Sequence, residues 1–209
     1  MSLIKLVHSD ASKPIKLVMS AGFSTDAKAH LDATVKMSLA KLEKFDTQEH
    51  KNVDIISVRY EPDAGKHQKD AVERKDLPRE YDLYKSLGNM IGEELKAQGI
   101  FAVHVIAKSA GAAVLTYLPL YIKIESIALI APAPIVIDSF GIPCRSNMPL
   151  YLGWNYRDPK IPYTYYEKVR GFLSAHGYTV EGQLFDKDNH DFTEEFIDGG
   201  LLRMRLGAK

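Results

Sequence analysis

A single cysteine, Cys144, stands among 209 residues, so no internal disulfide can form and no cysteine cluster is there to hold zinc or an iron–sulfur centre. That scarcity fits a reducing compartment or indifference to redox state. The opening segment, Met1 to His8, carries Lys5 within it and meets no small-residue cleavage site, so a secretory signal is not expected and the reading is cytoplasmic. Nowhere does the chain approach the roughly 18 uninterrupted apolar residues of a membrane span. Neither charge sign is in excess: Lys plus Arg and Asp plus Glu both number 27, leaving no global field to attract nucleic acid or an anionic membrane. A Gly-x-Gly-x-x-Gly is missing as well. Lys108-Ser109 invites comparison with a phosphate-binding loop, but the glycines that shape such a cradle are not in front of it. No internal repeat and no low-complexity tail is found.

What remains is a chain of ordinary globular composition, 45% hydrophobic and long enough for one substantial core, read as a single domain over 1–209. Strand and helix signals alternate along it. Strands are expected at Ile4 to Val7, Ile15 to Met19, Val53 to Tyr60, Ile100 to Ile106, Ser126 to Ala131, Leu150 to Trp154 and Thr179 to Phe185. Several are near-continuous apolar runs, as strands buried on both faces are. Leu31, Val35, Leu39, Leu42 and Phe45 recur at helical spacing, as do Tyr84, Leu87, Ile91 and Leu95, where Gly88 and Gly92 would let the helix pack closely against the sheet. The fold class is therefore α/β: a mostly parallel, doubly wound sheet of six to seven strands with helices on both faces. Two stretches look irregular. Residues 61–80, polar and without visible periodicity, read as a mobile surface loop near the site, and 131–147 as a small lid.

One hexapeptide, Ile106-Ala107-Lys108-Ser109-Ala110-Gly111, joins an apolar run to an amphipathic one with a serine at the junction and tiny side chains two residues to either side. Only small neighbours there allow strand and helix to approach closely enough for a strained turn that pushes the hydroxyl outward. Ser109 is thus a candidate nucleophile, with an ordinary helix N-cap as the bland alternative. Asp158 follows the strand ending at Trp154, and His190 follows the last strand, within Asp188-Asn189-His190-Asp191-Phe192. The order is Ser, Asp, His, each just past the carboxyl end of a strand, where open α/β sheets bind ligands.

A serine hydroxyl needs an imidazole to take its proton, and the imidazole needs an acid to fix its tautomer. His190 and Asp158 can fill those roles. Asp138 competes with Asp158 as the acid, and His190 could instead be a surface histidine among Asp186, Asp188 and Asp191. Of the other histidines, none lies in the loop after the last strand. Donors for a developing oxyanion are expected from the backbone N–H of Ala110 and, across the site, of Phe23, with Gly22 letting that turn come close; Ser24, Thr25 or Asp26 would cap the helix beyond. Lys108 is expected to point away from the hydroxyl, and Arg157 to be solvated or paired in its loop. Trp154, Tyr156, Tyr163, Phe23 and Phe140 are candidates to line an apolar pocket. A rate carried by an imidazole base should decline below about pH 6.5.

These segments together resemble the α/β-hydrolase family, and within it the small, lid-poor members similar to dienelactone hydrolases and carboxylesterases. The resemblance runs nearly the whole length, from Lys16-Leu17-Val18-Met19-Ser20-Ala21-Gly22-Phe23 through Ala107-Lys108-Ser109-Ala110-Gly111 to Gly153-Trp154-Asn155-Tyr156-Arg157-Asp158 and Asn189-His190-Asp191-Phe192. Two departures stand out: Ala107 opens the elbow in place of glycine, and Ala21-Gly22 replaces the family's His-Gly at the oxyanion turn. The resemblance implies acyl transfer to water through an acyl-enzyme, acting on a small-molecule ester or thioester without metal or organic cofactor. Two other readings are a binding or scaffolding module with an idle triad and a nucleotide-binding doubly wound domain. Esterase, thioesterase and peptidase chemistry stay open at this point, as does a homodimer.

Overall fold

The computed structural model describes residues 3–23, 27–45, 48–133 and 148–203. In chain order these form β1 (Ile4–His8), β2 (Ile15–Ser20), α1 (Ala27–Leu42), α2 (Gln48–Lys51), β3 (Val53–Tyr60), α3 (Pro62–Glu73), α4 (Leu77–Ala97), β4 (Ala102–Lys108), α5 (Ser109–Leu115), β5 (Lys123–Ile130), β6 (Leu150–Asn155), α6 (Thr164–Ala175), β7 (Val180–Phe185) and α7 (Glu194–Arg203). All seven expected strands are present. They make one sheet in the order β1-β3-β2-β4-β5-β6-β7, with β1 antiparallel to β3 and every other pair parallel.

Alternation along the strands sorts the core into two layers. On one face Leu17, Met19, Ile55, Ile106 and Tyr151 meet Leu31 and Leu42 of α1 and Phe196, Ile197 and Leu201 of α7. On the other, Val18, Ile56, Val105, Leu129 and Leu152 meet α3 to α6 through Ala64, Tyr84, Leu87, Ile91, Val114, Tyr166 and Leu173. After β2 the chain builds β3 on one side, then crosses to build β4 on the other. The helices that leave β2 and β4 therefore lie on opposite faces, and a crevice opens between the carboxyl ends of those two strands.

Two expectations fail here. The stretch 61–80 is not a loop: it holds all of α3 and the start of α4. Pro62 occupies the first helical position, where a missing N–H costs nothing, and the inward positions two turns apart are Ala64 and Ala71, too small to register as an apolar stripe. Asp76 then caps α4 by accepting from Arg79 N at 3.2 Å. Nor do Gly88 and Gly92 face the sheet. A Cβ at Gly88 would lie 2.7 Å from Val114 O and one at Gly92 2.3 Å from Pro119 Cδ, so α4 packs on the end of α5 and the segment after it. The lid expected at 131–147, with Asp138 and Phe140, lies outside the described residues apart from 131–133, and so do Ser24, Thr25 and Asp26.

Candidate active site

β4 passes into α5 with no residue between them, and the first helical residue, Ser109, has φ +53°. A left-handed conformation costs a non-glycine residue on the order of 1–2 kcal/mol, so the surroundings must enforce it. They do so through small side chains. Ala107 is fully buried behind the turn. A Cβ on Gly111 would stand 2.1 Å from Ala21 O and 2.5 Å from Ser20 Oγ, so the first turn of α5 rests directly on the end of β2.

The same closeness brings the turn after β2 to the serine. A Cβ on Gly22 would lie 3.6 Å from both Cβ and Oγ of Ser109, which is ordinary contact. Glycine here leaves room beside the hydroxyl rather than relieving a clash. The next residue, Phe23, is tied down from behind: its ring meets Tyr60 edge-on at 4.4 Å between centroids and Tyr84 at 5.9 Å. Tyr60 Oη in turn shares a hydrogen bond with Ser20 Oγ at 2.7 Å. Gly22 thus borders Ser109 from one side, with Phe23 next along the same turn, and buried Ala110 follows Ser109 in the first turn of α5 on the other.

Asp158 and His190 are brought together as expected. The carboxylate is oriented by its own loop: Oδ1 accepts from Lys160 N at 2.8 Å and Ile161 N at 2.9 Å. That leaves Oδ2 for His190 Nδ1, at 2.6 Å, with both side chains almost completely buried. Burial by itself would raise the Asp158 pKa, but the hydrogen bond from His190 and the two backbone N–H groups outweigh it and hold the carboxyl below its ordinary range. With Nδ1 donating to an ionised carboxylate, the neutral ring presents Nε2 as an acceptor. That nitrogen is buried and has no hydrogen-bond partner, so the contact expected between it and Ser109 Oγ is not closed.

How His190 reaches the middle of the sheet edge is a matter of loop anchoring. From β7 the segment must return across β6 and β5, about 14 Å at a strand spacing of ~4.8 Å. Tyr156 N bonds Phe185 O at 2.8 Å and Arg157 N bonds Lys187 O at 3.1 Å, joining the loops at their base. Asn155 Nδ2 then donates to both the backbone O and Oδ1 of Asn189, each at 2.8 Å. The last anchor is Lys108, expected to point away from the hydroxyl toward helix or solvent: it is instead buried, and its Nζ donates to the backbone O of His190. Burial lowers its pKa to about 8, with Asp191 and Asp158 opposing that shift and Lys160 adding to it. Strand alternation carried the signal, since Lys108 shares a face with Ile106, the face on which the chain beyond His190 packs. Asn155 and Asn189 had no such mark.

The remaining candidates divide. Trp154 is core rather than pocket wall, and its Nε1 donates to Ile161 O at 2.9 Å, bracing the loop of Asp158. Tyr156 and Tyr163 meet at a tilt with ring centroids 4.3 Å apart, Tyr156 about half exposed, and Arg157 pairs with Asp186 at 3.1 Å. Among the described residues no three His, Cys, Asp or Glu side chains gather where a metal ion could be held, and no helix is long and apolar enough to cross a membrane.

No protein-family model and no curated protein matches the chain. Solved structures do. Esterase PE8 superposes with a TM-score of 0.65 at 12% identity, covering 95% of this chain and 96% of that one. An esterase of Thermogutta terrifontis, Est2, gives 0.61 at 12% identity, over 99% and 91%. The Bacillus cereus carboxylesterase gives 0.55 at 16% identity, over 94% of each. The chain has the α/β-hydrolase fold.

Proposed function

We propose that this protein is a serine hydrolase that cleaves a small ester or thioester through an acyl-enzyme on Ser109. The observation that carries the reading is the His190 ring: Nδ1 held by a buried carboxylate, Nε2 unshared, on the rim where a strained turn presents Ser109 beside Gly22. In the first step Oγ adds to the substrate carbonyl while His190 Nε2 takes the hydroxyl proton, and Asp158 stabilises the imidazolium that forms. Backbone N–H of Ala110 and Phe23 stabilise the oxyanion, Ala110 aided by the positive end of α5. The proton then passes to the leaving alcohol or thiol. Water repeats the sequence on the acyl-enzyme, releasing the acid. The Thermogutta terrifontis esterase was solved with butyrate bound, in keeping with a small acyl group.

The open contact between Ser109 and His190 favours a second reading, a binding module with an idle triad. Such contacts often tighten only when substrate arrives, so an open one does not decide between the two. Covalent labelling does. A fluorophosphonate probe is expected to label the wild type and leave Ser109→Ala unlabelled, with p-nitrophenyl ester turnover lost in the same variant. Equal labelling of both, or none of either, would end the hydrolase reading.

A further inference from the structure

We propose that Lys108 is a positioning residue, whose ammonium on the strand that presents Ser109 grips the backbone of His190 and fixes the loop of the base against the elbow. The inference rests on the hydrolase reading for its kinetic consequence but not for its geometry. The lysine is buried at the residue immediately before Ser109, an expensive place for a charge unless something there uses it. Its Nζ donates to His190 O and lies 5.8 Å from the centroid of the Phe192 ring. One side chain therefore touches both residues that bracket the turn out of the base, and its own backbone runs straight into the nucleophile.

The need for such a grip follows from the sheet. The imidazole is held at Nδ1 by Asp158, a contact about which the ring can still swing. Asn155 holds the residue before it. Among the described residues, Lys108 is what links the His190 backbone to β4, the strand that leads into Ser109, so it sets the separation between ring and hydroxyl. A displacement of about 1 Å in such a separation can cost up to about 100-fold in rate. The groups that face the ammonium are His190 and Asp191 from the loop after β7, and Asp158 and Lys160 from the loop after β6. Asp191 is itself 3.6 Å from His30 of α1.

Because burial lowers its pKa to about 8, the lysine loses its proton within an accessible range, and a neutral amine is the weaker donor. Stability moves the other way. Folded Lys108 holds its proton less tightly than the unfolded chain does, so between about pH 8 and the ordinary lysine value near 10.4 the fold gains stability as pH rises. A merely structural lysine would not separate those two trends.

Lys108→Met keeps the bulk and removes the donor. The variant is expected to match or exceed the wild type in thermal midpoint, yet to label with fluorophosphonate about 10- to 100-fold more slowly. Its low-field proton resonance from the His190–Asp158 hydrogen bond should broaden, a readout that needs no turnover. Lys108→Arg should restore part of the rate. Wild-type labelling should fall above about pH 8 with no loss of thermal midpoint, and that alkaline limb should vanish in the Met variant. A Met variant with the wild-type labelling rate and a sharp resonance overturns the proposal. If the Met variant does not fold, the wild type decides alone: a labelling rate flat from about pH 7 to 9.5 overturns it, and a decline supports it. If the wild type never labels, the hydrolase reading has failed, and the resonance still decides the positioning claim.

Discussion

On the β2–β4 flank of the site, Ala107 and Gly111 allow two stretches of backbone to lie almost in contact, and the tightest constraint there is a side chain that is missing. On the β6–β7 flank the reverse holds: Asn155, Asp158 and Asn189, with Lys108 reaching over from β4, hold the loop of His190 by hydrogen bonds. The first flank is a packing problem, intolerant of added atoms. The second is a polar network, in which an unmatched partner costs more than the bond itself contributed. Substitutions on the two sides should therefore fail in different ways, one by loss of the fold and the other by loss of rate with the fold intact.

The largest effect is expected on the polar side. Asp158→Asn leaves a group of the same shape accepting from Lys160 N and Ile161 N, but it no longer fixes the tautomer that leaves Nε2 free. Turnover should fall about 10⁴-fold while the chain stays folded with only a modestly lowered thermal midpoint. A variant that unfolds, or one that keeps more than a tenth of the activity, would show that Asp158 supports the loop rather than the ring. On the packing side, Gly111→Ala puts a Cβ 2.1 Å from Ala21 O, against two backbone segments that have nowhere to move. Stability in urea should drop by about 2–3 kcal/mol. Unchanged unfolding would mean that the elbow is looser than this contact requires.

The two flanks also differ in how far the sequence announces them. Glycine and alanine around Ser109 mark a turn by their spacing alone, because sterics at a strand-to-helix junction leave few solutions. The sheet was legible for a similar reason, its strands being long, apolar and alternating with helices. What the sequence does not mark depends on distant partners. Lys108 is an unremarkable lysine until strand alternation turns it toward the loop beyond β7, and Asn155 gains its role only because Asn189, 34 positions on, folds back over it. α3 is silent in the sequence for a third reason: alanine supplies its buried positions, and a helix that packs closely through small residues carries little apolar signal.

The smallest effect tests whether the polar flank also links the fold to pH. Asp158 is held below the ordinary carboxylate range despite its burial, and so is Asp54 at the other end of the sheet, where the His8 hydrogen bond, Asp10 N and Lys16 outweigh the same penalty. A carboxyl whose folded pKa is depressed contributes stability that is present above its unfolded value, about 3.9, and is lost as pH falls through the folded one. The wild type should therefore lose urea resistance between pH 7 and pH 3. Asp54→Asn and Asp158→Asn should each lose less over that interval, having no proton to bind. Gly111→Ala, weakened by packing alone, should lose as much on acidification as the wild type does. A reduced acid response in Gly111→Ala would mean that the two flanks share one cooperative network, because a substitution that touches no titrating group would then have disturbed the carboxylates from across the sheet edge.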